Sequence, residues 1–167
     1  MRVGIGYDSH RFADEGTRKL ILGGVEIPYP RGLAGHSDGD AVAHALIDAI
    51  LGAAGLGDIG TMFPSSDPRW QDADSLGLLK RAYLRVVKAG HNFVSADITV
   101  ITEQPHLARY VDDMREKLAG ALVSGYSALS VKAKTNDGMG WIGRGEGVAV
   151  IAVALLEGGG VPRASSA

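Results

Sequence analysis

Apolar and polar positions alternate at the start of the chain, where Val3, Ile5 and Tyr7 interleave with Gly4 and Gly6. Period-two alternation predicts a strand, ending near Asp8. Leu20 to Ile27 holds two short strand-like pieces broken by Gly23 and Gly24, which predicts a hairpin. From about Gly39 to Ala54 the chain is rich in Ala, Val, Leu and Ile and reads as a buried helix, closed by a glycine-rich turn from Gly55 to Gly60. Asp74 or Ser75 is placed to cap a second helix through Lys88, ended by Gly90. Phe93 to Thr102 alternates as a strand, Pro105 opens a third helix through about Leu122, and Leu129 to Lys134 is a short strand. Asn136 to Gly147 is a glycine-rich loop before a buried strand from Val148 to Leu156. Residues 11–19, 28–37 and 63–73 read as loops. Strands separated by helices predict an α+β sandwich, one mixed sheet with helices packed on one face. Residues 1–157 form a single expected domain, and 158–167, without apolar periodicity, an expected disordered tail.

One feature of the first helix breaks its apolar character. Asp40, His44 and Asp48 recur every four residues and therefore share one side of the helix. A solvated face carries Lys, Glu and Gln, yet none occurs between Asp40 and Gly60. Asp40 suits the helix N-terminus. His44 and Asp48 sit among alanines, where buried polar groups need partners. Two readings follow: a pair satisfied internally, or a metal ligand with a helper carboxylate.

Composition narrows the class. Hydrophobic residues are 46% and charged residues 22% of 167, ordinary for a soluble globular domain. A formal net charge of -2 gives no nucleic-acid or anionic-membrane footprint. The absence of cysteine removes thiolate catalysis and thiolate metal sites. The first residues lack a signal-peptide apolar core, and Val148 to Leu156 is shorter than the ~20 residues of a membrane-spanning helix. A cytoplasmic location is the expectation.

Asp8 and His10 stand two apart where the first strand ends, so both side chains project to one side. The pair either turns the chain or holds a divalent ion, with His44 as the third ligand. Nitrogen and oxygen donors without sulfur suit Zn²⁺ with an open fourth position. His36 and Ser37 precede the helix where free N–H groups favour phosphate. Lys134, Thr135 and Arg144 in the glycine-rich loop suit anions, and Asp137 could hold Mg²⁺ between phosphates. His91 and His106 read as surface residues.

Four groups of residues, in order, carry a resemblance: Gly6-Tyr-Asp-Ser-His10; Gly35-His-Ser-Asp-Gly-Asp40 with His44-Ala-Leu-Ile-Asp48; Gly57-Asp-Ile-Gly60 with Phe63-Pro64; and Val131-Lys-Ala-Lys-Thr135 with Gly143-Arg-Gly-Glu-Gly147. Over residues 1 to about 157 the chain resembles the 2-C-methyl-D-erythritol 2,4-cyclodiphosphate synthases of the non-mevalonate isoprenoid pathway. The resemblance implies a homotrimer, with three sheets around a threefold axis and active sites between subunits. It implies a phosphorus–oxygen lyase: the 2-phosphate of 4-diphosphocytidyl-2-C-methyl-D-erythritol 2-phosphate attacks the β-phosphorus, giving the cyclic diphosphate and CMP. A Zn²⁺-dependent phosphohydrolase and a non-catalytic trimeric metal- or ligand-binding protein are the alternatives.

Carried over by position, Asp8, His10 and His44 would bind Zn²⁺ or another divalent cation, and Asp137 would bind Mg²⁺ or Mn²⁺ on the diphosphate. His36 and Thr135 match groups that steady the transition state; Asp48 matches a carboxylate of the active-site helix, as base or as orienting group. Ser37, Asp58, Ile59, Gly60, Phe63, Pro64, Ser65, Ser66 and Asp67 would surround the phosphates and the erythritol. Thr102, Glu103, Gln104, Pro105, His106 and Leu107, with Ala133, Lys134 and Thr135, would line a cytidine pocket supplied by the neighbouring subunit. Asp137 stands where the family often has Glu, and Lys134 and His106 where some members have Thr and Lys. Trp141 occupies a position often held by Phe, and with Arg144 it would line a central cavity that accepts an isoprenoid diphosphate in some relatives.

Overall fold

A computed structural model describes residues 1–158. Strand β1 (Arg2–Arg11) runs past Asp8, so the Asp8-Ser-His10 segment is extended rather than a turn. The hairpin is β2 (Leu20–Leu22) and β3 (Val25–Ile27), joined through Gly23 and Gly24. Strands β4 (His91–Ile101), β5 (Leu129–Lys134) and β6 (Gly147–Gly158) complete the main sheet in the order β1-β6-β4-β5. Only the β4–β5 pair is parallel; β6 is antiparallel to both β1 and β4. The sheet is therefore mixed, as expected. Strands β1, β4 and β5 point the same way, and their C-terminal ends share one end of the sheet.

Helices α1 (Ala41–Ala54), α2 (Ile59–Met62), α3 (Ser75–Lys88) and α4 (Val111–Ala121) follow the strands, with α1 lying directly on β1 and β6. The face that β1 turns to this helix is glycine. A Cβ on Gly4 would stand 2.1 Å from the carbonyl oxygen of Ala49, and one on Gly6 would stand 1.9 Å from that of Ala45. Gly4 and Gly6 thus meet a row of small residues, Ala45, Ala49 and Ala53, one helical turn apart. The larger residues Val3, Ile5 and Tyr7 face away from the helices and are exposed. Leu46, Ile47, Ile50 and Leu51 of α1, Leu79 of α3, Ile98 of β4 and Met114 and Leu118 of α4 fill the core.

Several boundaries depart from the sequence expectation. The third long helix starts at Val111, after a single 3₁₀ turn at Ala108–Tyr110, rather than at Pro105. The turn after α1 hides α2, which Asp58 caps by accepting the Thr61 N–H. A short helix α5 (Gly140–Gly143) forms inside the glycine-rich loop. Strand β6 is not buried on both faces, because Ile151 and Val153 point outward beside Tyr7 and Ile5. His91 is buried, not a surface residue: it opens β4 opposite Gly158, and its Nδ1 meets that carbonyl at 3.2 Å. The expected disorder of the tail, apart from Gly158, lies outside the described residues.

Candidate metal and phosphate site

The three residues of the α1 ridge have three different partners. Asp40 is wholly buried, and its carboxylate accepts the Val42 and Ala43 N–H groups of the helix and the Gly23 and Gly24 N–H groups of the hairpin turn. Burial pushes this carboxyl up to about 6, against the pull of its backbone donors. Asp48 is half-buried and reaches forward, not toward His44: Oδ1 accepts the Ile59 N–H at 2.7 Å, fixing the start of α2. Burial also raises its pKa. The internally satisfied His44–Asp48 pair does not form.

His44 turns instead to β1. Its Nδ1 lies 3.2 Å from Asp8 Oδ2, and His10 Nδ1 lies 2.9 Å from the same oxygen. The His10 approach is out of line for a hydrogen bond, so that buried nitrogen has no partner. Two ligands on tetrahedral Zn²⁺ at about 2.0–2.1 Å stand roughly 3.3 Å apart, close to these spacings. Three donor atoms converging within 4.8 Å, one of them orphaned, fit a shared cation better than a set of internal hydrogen bonds. Burial pushes the Asp8 carboxyl up, but the two imidazoles outweigh it and hold it at about 2. Burial pushes His44 down, but hydrogen bonding and charge from Asp8 leave it above the usual value.

A cavity of about 240 Å³ opens over this cluster, lined by His10, His44, His36, Ser37, Ile59, Gly60, Phe63 and Ser65. The sequence placed all of these at the site. Trp70 and Leu78 also line it and were missed; Trp70 meets Phe63 edge-on, with ring centroids 5.0 Å apart. Asp58 caps α2, and the Thr61 N–H holds its carboxyl below the usual range. Pro64 and Ser66 are exposed, and Asp67 is engaged by Arg69, whose Nε is 2.9 Å from Oδ2. Arg18, read from sequence as ordinary loop, donates to the Gly35 and Ser37 carbonyls and so holds the His36-Ser37 segment. Nothing local marks that role; the contacts cross 17 and 19 positions.

A second depression, of about 150 Å³, lies at the far edge of the sheet. Thr102, Pro105, His106, Leu107, Ala133, Lys134 and Thr135 line it, with Ala108. Thr102 is fixed by donating to the Gln104 carbonyl, and its N–H bonds the Lys134 carbonyl. Glu103 points elsewhere, accepting the Asn136 and Gly138 N–H groups and pinning the glycine-rich loop. Thr135 donates to Asp137, which is exposed and has φ 51°. Trp141 borders a cleft of about 280 Å³ with Ser9, His10, Arg11 and Glu146, and Arg144 pairs with Glu146 beside it. The two depressions share no residue. They sit at one end of the sheet on opposite edges, β1 and β5, with β6 and β4 between them, a span of roughly 14 Å.

A carboxylate and two imidazoles converge under a cavity that the start of α2 also lines, in a mixed-sheet α+β fold, and together they form a group able to hold a metal ion. The model of the YgbB family matches residues 1–157, and the chain belongs to that family. It is 54% identical over 156 residues to the 2-C-methyl-D-erythritol 2,4-cyclodiphosphate synthase of Moorella thermoacetica, covering 93% of this chain and 94% of that one. To the synthase of Syntrophus aciditrophicus it is 55% identical over 157 residues, 94% of this chain and 98% of that one. Among solved structures, a CDP-bound 2C-methyl-D-erythritol-2,4-cyclodiphosphate synthase superposes with a TM-score of 0.84 at 38% identity, covering 93% of this chain and 100% of that chain. The bifunctional IspDF of Campylobacter jejuni gives 0.89 at 42% identity over 93% of this chain and 42% of that longer one. Among the described residues no helix is long and apolar enough to cross a membrane.

Proposed function

We propose that the protein cyclises 4-diphosphocytidyl-2-C-methyl-D-erythritol 2-phosphate to 2-C-methyl-D-erythritol 2,4-cyclodiphosphate and CMP, as a lyase of cytoplasmic isoprenoid precursor synthesis. The convergence of Asp8, His10 and His44 beneath the His36–Ser37 cavity carries the reading, in a chain more than half identical to named synthases. Asp8, His10 and His44 hold Zn²⁺, which supplies Lewis-acid stabilisation of phosphate charge when bound. His36 and Ser37 border the reacting phosphates, with the first turn of α2 at Ile59 and Gly60 lining the cavity beside them. Asp48 acts as a positioning group for that turn through its bond to Ile59. Nucleophile and electrophile belong to one molecule, so the protein's task is to fold the substrate and screen its charge.

The cytidine occupies the Thr102–Leu107 and Ala133–Thr135 depression, with Thr135 and Asp137 toward the diphosphate and its Mg²⁺ or Mn²⁺. One subunit's depressions lie on opposite sheet edges, so a complete site takes the metal half from one subunit and the nucleotide half from the next. The homotrimer provides that pairing. Its threefold contact is the outward apolar face of β1 and β6, where Val3, Ile5 and Tyr7 are 67%, 70% and 56% exposed. Trp141 and Arg144 border the cleft nearest that face, suited to an isoprenoid diphosphate.

Phosphorus NMR of the protein with substrate, Zn²⁺ and Mg²⁺ tests the reaction. The expected result is two cyclic-diphosphate signals with stoichiometric CMP; inorganic phosphate in their place identifies a hydrolase and overturns the reading. His44→Ala is expected to lose bound zinc and at least ~10³-fold in turnover while staying trimeric. A metal-replete, active variant overturns the ligand assignment.

A further inference from the structure

The side of His44 away from Asp8 is not solvent. Its Nε2 lies 2.9 Å from Ser75 Oγ and 3.1 Å from Ser37 Oγ, both on buried serines. Ser75 is the first residue of α3 and is wholly buried; its Oγ also meets Asp38 Oδ1. Asp38 is fixed in turn, for Oδ2 accepts the Ser75 N–H at 3.0 Å and Oδ1 accepts the Asp40 N–H at 3.1 Å. The segment carrying Asp38 is tied to the approach to α3 by two further bonds, Asp38 N–H to the Ala73 carbonyl and Asp72 N–H to the His36 carbonyl. None of the metal or phosphate roles assigned above uses Ser75 or Asp38.

Proton counting favours one direction for this chain. An ionised carboxylate only accepts, so the single Ser75 hydroxyl proton goes to Asp38. Ser75 Oγ then has only lone pairs to offer His44, and at 2.9 Å they meet Nε2 favourably only when Nε2 carries the hydrogen. Ser37 Oγ, which already accepts the Gly39 N–H at 3.2 Å, is equally able to accept from Nε2. With Nε2 as donor to the two serines, a neutral His44 has its lone pair on Nδ1, the atom that faces Asp8 and His10, against the pull of the Asp8 carboxylate 3.2 Å away for a hydrogen there. The opposite tautomer would put a hydrogen on Nδ1 and close the seat to a cation.

We propose that Ser75 and Asp38 are positioning residues that hold His44 in the Nε2–H tautomer, so that its Nδ1 is presented as a metal donor. The inference rests on the proposed metal role of His44, and it extends the metal site into the loop before α1 and the first turn of α3. Outer partners of this kind commonly change metal affinity about 10–100-fold.

The test combines imidazole nitrogen NMR of the metal-free protein, at about pH 9 where histidine is neutral, with Zn²⁺ titration against a competing chelator. Wild type is expected to show His44 as Nε2–H. Ser75→Ala is expected to weaken Zn²⁺ about 10-fold or more with the fold kept, because Ser37 alone then restrains Nε2. Asp38→Asn reverses the chain: its amide can donate to Ser75, whose hydroxyl can then donate to Nε2. That variant is expected to shift His44 toward Nδ1–H and to weaken Zn²⁺ at least as far. An Nδ1–H wild type, or folded variants with unchanged tautomer and unchanged Zn²⁺ affinity, overturns the proposal. The tautomer is read without metal or substrate, so it stands or falls separately from the cyclisation.

Discussion

Asp40 joins two elements through one carboxylate, four backbone N–H groups from α1 and the β2–β3 turn converging on its two oxygens. Replacing it with Ala strands buried donors as well as removing a cap, and Asp40→Ala is expected to lose about 2–4 kcal/mol in denaturant titration. Its raised pKa sets a sign. The fold favours the protonated acid, so this contribution is present below the unfolded value near 4 and fades as pH rises through about 6. Asp40→Asn is expected to flatten the fall in stability across that window, measured as melting temperature against pH. Residues of this kind were legible to different depths. The cap at Asp40 follows from its place at the helix start; spacing made Asp8, His10 and His44 candidate donors, and the resemblance chose that reading. Arg18, Asp38 and Ser75 do not, because their contacts join segments 17 to 37 positions apart. His91 was misread because a lone histidine at a strand start carries no sign of what the register sets opposite it.

Between elements, the closest contact is the one without side chains. Gly6→Ala would drive a Cβ to 1.9 Å from a backbone oxygen, and backbone cannot rotate away as a side chain does. The expected cost is roughly 1–3 kcal/mol or more in thermal unfolding. Weaker Zn²⁺ binding should accompany it, since Asp8 lies two residues along the same strand. Gly52, in the same helix α1 but with nothing nearer than 4.0 Å, is the control: Gly52→Ala is expected to be neutral or stabilising by up to ~1 kcal/mol. The strand pattern showed that β1 exists but not which face it buries. Alternation is symmetric between faces, and here the helix takes the glycines because only they admit its backbone so closely. The helix expected at Pro105 began six residues later, because 105–107 line the depression at the β5 edge instead of continuing a helical period.

At the scale of the molecule, the two depressions at opposite edges of one sheet make subunit pairing part of the proposed chemistry. His44→Ala and Thr135→Ala chains are each expected to be inactive alone. When denatured and reassembled together they should regain activity, with about a quarter of sites drawing both intact halves by random pairing. Turnover of the mixture at the level of its inactive parents would place both halves within one subunit. The architecture itself was readable from the order of strands and helices. The separation of the two depressions came only through the family resemblance, since in this chain it depends on β6 and β4 lying between β1 and β5.

The bare contact between β1 and α1 also acts as a gauge for ions. Two of the proposed donors ride on the strand and the third on the helix, and no deformable side chain cushions Gly4 and Gly6 against that helix. A cation needing bonds of about 2.3–2.6 Å, as Ca²⁺ does, would have to push strand and helix apart against close-packed backbone. With a cation held at the proposed donors, ionic radius would be discriminated by two glycines that touch no ion.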